Sequence, residues 1–154
     1  MTTEQPAPAD HPTPESGGRR VDGVGAVFVA VYALFALAAG ARSAFQIATK
    51  FDEAPLAYLL SALAAVIYAV AAYCFARPSA TSLRTARAAL MVELVGVLAV
   101  GALSVAQPDD FPDQTVWSNF GQGYGYIPLL LPIAGLLWLS RTGTRDGFAR
   151  GRLR

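Results

Sequence analysis

The chain has 154 residues, of which 54% are hydrophobic and only 15% charged, and its formal net charge is +1. Soluble domains carry about 25% charged residues, and here the apolar excess is gathered into four long runs, which argues against a single water-soluble core. One cysteine, Cys74, excludes an internal disulfide or a paired-cysteine redox centre, and the one histidine, His11, has no ligand cluster around it, so no cofactor or metal is expected.

Residues 1–23 form a polar stretch with Pro6, Pro8, Pro12 and Pro14, ending just after Arg19 and Arg20. Prolines break helices and the stretch has little apolar surface to bury, so a disordered N-terminal tail is expected. The first apolar run starts at Val24. Ala36, Gly40 and Ala44 recur within it at the four-residue spacing that lets helices approach closely in lipid. Beyond Ala41, Arg42, Gln46 and Thr49 share a helical face, which predicts an amphipathic end at the interface. An alternative reading is a twin-arginine signal with cleavage near Ala39-Gly40-Ala41. Asp22 after the arginines and the three further spans weigh against it.

The second run is Pro55 to Ala76, with Pro55 suited to a first helical turn and Ala57, Ser61, Ala65 and Ala69 at four-residue intervals. Arg77-Pro78 closes it. The third run, Ala88 to Ala106, holds one ionisable residue, Glu93. At about 1.5 Å rise per residue it is close to the hydrocarbon thickness of a bilayer. The loop that follows, 107–125, contains Asp109, Asp110 and Asp113 and no basic residue, and Pro108 and Pro112 argue against regular structure there. The fourth run is roughly Phe120 to Ser140, with Pro128 and Pro132 predicting a kink or a broken first turn.

These elements predict an all-α membrane protein: a four-transmembrane-helix bundle over 24–141, with spans at about 24–47, 55–76, 88–106 and 120–140, and a basic cytoplasmic tail over 142–154. Four spans put both tails and the second loop on one side, with ten of the twelve basic residues. The positive-inside rule makes that side cytoplasmic, so the expected location is the cell membrane with both termini inside.

Glu93 is the foremost candidate for chemistry, because an ionised carboxylate in a membrane helix is costly and such groups face a bundle interior or a water cavity. Tyr32, Tyr68 and Tyr73 lie at comparable depth as possible hydrogen-bond partners, and Arg87 is an alternative by snorkelling. A proton-coupled site and a neutral acid tying helices together are both compatible with this pattern. Trp117, Phe120, Tyr124 and Tyr126 cluster at the outer end of the fourth span, where amphipathic rings anchor an interface or bind an external partner. The glycines of Phe120 to Tyr126 follow no strand and precede no Gly-Lys-Ser/Thr, so they suggest a flexible or re-entrant approach to the fourth helix, not a phosphate loop. The aspartates fit no calcium loop. The basic residues flank spans without forming a soluble patch, so nucleic acid is not an expected partner.

The Ala/Arg/Val-rich usage and the segment Val116 to Pro128, VWSNFGQGYGYIP, resemble uncharacterised small four-helix integral membrane proteins of high-GC actinobacteria. That resemblance implies a location and no particular activity. The expected function is a structural or accessory bundle in contact with the lipid bilayer and with a membrane-protein partner or a second copy. The alternative is a small proton-coupled transporter using Glu93. An enzyme is not expected, since the tails and loops are too short for a catalytic domain.

Overall fold

The computed structural model describes residues 23–151, with side chains through Arg141. The expectation of a disordered tail, with Arg19, Arg20, Arg152 and Arg154, therefore lies outside the described residues, and of the remaining C-terminal arginines only Arg141 has a described side chain. Four α-helices carry the fold: α1 Gly23–Lys50, α2 Pro55–Ala76, α3 Ala80–Ala106 and α4 Ile127–Gly151. No strand occurs among the described residues.

Three segments are long and apolar enough to cross a membrane: Gly23–Glu53, Pro55–Ala76 and Ala80–Ala106. A fourth is reached if the short helical segment Ser118–Tyr124 and the stretch Ile127–Arg141, bent by 97°, form one broken span. The outside of the molecule is greasy. Leu34, Leu37 and Phe45 of α1, Leu63 and Val66 of α2, and Val95 of α3 are all exposed, while Tyr32, Tyr68, Ser61 and Glu93 are buried. This inverts the arrangement of a soluble protein and is consistent with a multi-pass membrane protein.

The helix ends follow local chemistry. Pro55 sits in the first turn of α2, where a missing N–H is no loss. Ser79 caps α3, its Oγ accepting from the Ser82 backbone N–H at 3.0 Å. That cap starts α3 eight residues ahead of the expected span, and Glu93 becomes its middle residue, about 20 Å from either end. α4 differs in the opposite sense. It begins at Ile127 and not at 120, because Asn119, Phe120 and Gly121, and then Gly125 and Tyr126, adopt left-handed backbone that no α-helix can include. At its far end α4 runs on to Gly151, through most of the stretch expected as a tail.

The tightest pairing is α1 on α2, built from small residues. A Cβ placed on Gly40 would meet the Ala65 Cβ at 3.7 Å, ordinary contact distance. The buried stripe of α1 passes through Phe28, Tyr32, Ala39, Ser43 and Gln46, so Ala44 falls on the exposed side, and in α2 so does Ala69. A strict four-residue repeat drifts round a helix of 3.6 residues per turn, and the real seam alternates steps of three and four. α3 packs on α2, and α4 lies against α3, where a Cβ on Gly135 would come within 2.9 Å of Leu90. Phe28, Phe75 and Trp138 meet at one end of the bundle, with centroids 5.2 to 5.8 Å apart. Arg42, Tyr58, Asp113 and Tyr124 meet at the other.

Candidate functional site

The interior polar site is assembled by three helices and one loop. Glu93 is completely buried, and its Oε2 accepts a hydrogen bond of 2.8 Å from the Tyr32 hydroxyl of α1. Oε1 has no hydrogen-bond partner. The Tyr32 ring lies 6.0 Å from that of Tyr68, and 5.9 Å from Phe75, with which it stacks. Tyr68 accepts a 3.1 Å hydrogen bond from the Trp117 indole Nε1.

Tyr73, the other expected partner, is not part of this group. It is 58% exposed and lies under the Arg77 guanidinium, whose carbon is 5.2 Å from its ring centroid. Five residues beyond Tyr68 on a 3.6-residue helix, its side chain falls well off the buried stripe. Arg87 is exposed and has no carboxylate within ion-pair distance among the described residues.

Trp117 corrects the expectation of an external aromatic surface. It is only 2% exposed, because the loop after α3 turns back into the bundle. Its ring covers Gly96, where a Cβ would come within 2.8 Å of it. Gly96 lies ten residues before the end of α3, so the indole descends about 15 Å along that helix. Phe120 is likewise half-buried: its ring and backbone nitrogen would stand 2.6 and 2.8 Å from a Cβ on Gly101. Tyr124 is half-buried too, its hydroxyl accepting from Arg42 at 2.9 Å and its ring 5.9 Å from Phe35. Only Tyr126 remains open, at 46% exposure.

A descending loop must satisfy its own backbone. Thr115 and Ser118 do this locally. The Thr115 Oγ1 accepts from the backbone N–H groups of Trp117 and Ser118 at 3.0 and 2.9 Å, and the Ser118 Oγ accepts from Thr115 N–H at 2.9 Å. Asn119 N–H donates to the Ser104 Oγ of α3 at 2.8 Å. Phe120 holds φ at +59°, a strained conformation for a bulky residue, and the Gly101 notch supplies the contact that keeps it there. The expectation that Pro108 and Pro112 exclude regular structure is also corrected. Pro108–Asp110 forms a short 3-10 turn, since a proline at the start of a turn gives up no needed donor.

Above this loop stands a second polar group, centred on Asp113. Its Oδ2 accepts from Gln46 Nε2 and from the Tyr58 hydroxyl, each at 3.1 Å, and its Oδ1 from the Gln114 backbone N–H at 3.0 Å. Arg42 and Lys50 lie 3.8 and 3.9 Å from its oxygens. The polar face of α1 is thus bound to the loop instead of ending alone at an interface. Among the described residues no group of three or more His, Cys, Asp or Glu is placed to hold a metal ion.

Several of these parts have no signal in composition or hydropathy. Gly96 and Gly101 look like any small residue in an apolar run, and Asp113 is one of three aspartates in its loop. The Thr115-x-x-Ser118 spacing was the available signal, being a turn in which hydroxyls bond nearby backbone. No protein-family model matches the chain, and no curated protein or solved structure matches it either.

Proposed function

We propose that the chain is a four-span cell-membrane protein with both termini cytoplasmic, acting as a structural or accessory bundle that associates with a membrane-protein partner, a second copy or lipid. The observation that supports this most is the enclosure of Glu93. Its carboxyl group lies wholly inside the helices and is joined to Tyr32, sixty-one residues away in sequence. A polar group so placed ties α1 to α3. The opposed ends of the bundle support four crossings, since α4 runs from the Tyr124 end to the Trp138 end. The excess of basic residues on one side supports the orientation.

A second reading, proton-coupled transport through Glu93, is favoured by one observation: Oε1 is buried without a partner. Carboxyl groups inside membrane helices mark proton and ion pathways, and this oxygen is not committed to a helix contact. Glu93→Gln separates the two readings. Under the first, the variant accumulates in the membrane and co-purifies with the same proteins as the unaltered chain. Under the second, it folds but loses pH-dependent flux in reconstituted vesicles. Tags at both ends, tested for access from outside intact cells, check the orientation.

A further inference from the structure

We infer that the groove between the end of α2 and the start of α3 is a binding site for one anionic phospholipid, with an acyl chain along α2 and the phosphate at Arg77. The groove is open along the outside of the bundle and has a volume of about 520 Å³. Val66, Val70 and Cys74 form its apolar wall, and the hydroxyl-bearing Thr81 and Thr85 of α3 face them. Along α2 its lining residues run from Val66 to Cys74. With the turn up to Arg77 this is about 16 Å, close to the depth of one leaflet of a 30 Å hydrocarbon core. A groove of that length, apolar along one side and hydroxyl-lined toward the helix ends, matches a lipid tail with its ester region at the mouth.

Charge settles which lipid. The Arg77 guanidinium stands over the ring of Tyr73, a groove residue, and lies 3.5 Å from its hydroxyl. No acidic residue occurs between Glu53 and Glu93 in the sequence, and among the described residues none of Arg77, Arg84 and Arg87 has a carboxylate within ion-pair distance. The described ion pairs all lie at the opposite end, around Asp113 and Glu53. A guanidinium beside an apolar groove, with no carboxylate partner among the described residues, is complementary to a phosphate with no choline or amine to neutralise it.

This rests on the reading of α2 and α3 as membrane spans, and its test is separable from that one. The full chain is reconstituted in nanodiscs of equal palmitoyl-oleoyl phosphatidylglycerol and phosphatidylcholine, released into mild detergent, and its retained lipids are counted by native mass spectrometry. One retained phosphatidylglycerol, favoured about fivefold over phosphatidylcholine, is expected from one basic residue near the headgroup. Arg77→Gln keeps a lipid but loses the preference. Ala69→Trp, which fills the groove from its lipid-facing wall, loses the lipid. Arg87→Gln, on the other side of α3 from Thr85, keeps both. Helical content by circular dichroism confirms that each variant is folded. Equal retention of the two lipids by the unaltered chain overturns the inference. So does unchanged retention by Ala69→Trp, or a lipid-free dimer in which a second copy fills the groove. Failure to enter nanodiscs at all would instead defeat the membrane reading.

Discussion

The two polar clusters of this protein are built on opposite principles. Around Glu93 each hydrogen-bonding side chain has one partner and is buried: Tyr32 serves Glu93, and Trp117 serves Tyr68. Around Asp113 five groups share one carboxylate that is about a third exposed. Loss of a partner inside strands a buried polar atom, whereas loss of one outside leaves four others and access to water. The interior cluster therefore sets helix positions, and the outer one holds the loop down with redundancy.

Substitutions sharpen this contrast. The largest effect is expected for Trp117→Ala, which empties the space over Gly96 and removes the donor to Tyr68; a loss of about 3 to 5 kcal/mol should appear in thermal unfolding in detergent. Gly101→Val should follow, at about 2 to 3 kcal/mol, because the new side chain collides with the ring and backbone of Phe120. Equal stability of Gly101→Val and the unaltered chain would mean that the loop does not sit in this notch.

Next comes Tyr32→Phe, which leaves both Glu93 oxygens without a partner and should cost about 1 to 3 kcal/mol. Adding Glu93→Leu to it should recover most of that loss, since removing both members of a buried pair is far less costly than removing one. A double variant less stable than Tyr32→Phe would show that Glu93 has bonds beyond the one to Tyr32. The smallest effect belongs to the outer cluster: Lys50→Ala should change stability by less than about 1 kcal/mol, and the change should shrink further in high salt. A larger, salt-insensitive loss would erase the distinction between the two clusters.

Much of the helical architecture was legible from hydropathy alone. The sequence predicts the second helix at Pro55 to Ala76, and it has those ends, because a proline that opens a helix and an Arg-Pro pair that closes one act over a few residues. Glu93 stood out as the lone charge in its run. Its choice among Tyr32, Tyr68 and Tyr73 did not, because each is a lone phenol in an apolar run, and helix rotation and the true helix ends, which separate them, are set by packing. Tyr32 faces inward, while Tyr73 faces out toward Arg77. The start of α4 is hidden for a related reason: aromatic rings at Phe120, Tyr124 and Tyr126 lead into the apolar run, and composition carries no record of the left-handed backbone between them.

Sequence alone determined where the chain is greasy, where it is charged, and where prolines interrupt it, since each of these is a property of neighbouring residues. Tertiary structure decided that Trp117 turns inward and that Asp113 becomes a hub. Both outcomes depend on notches at Gly96 and Gly101 and on donors in α1 and α2, which are far away along the chain and adjacent only once it is folded. An aromatic residue at a helix end reads the same whether it anchors to lipid or fills a gap. What separates the two is the missing side chain on the helix opposite.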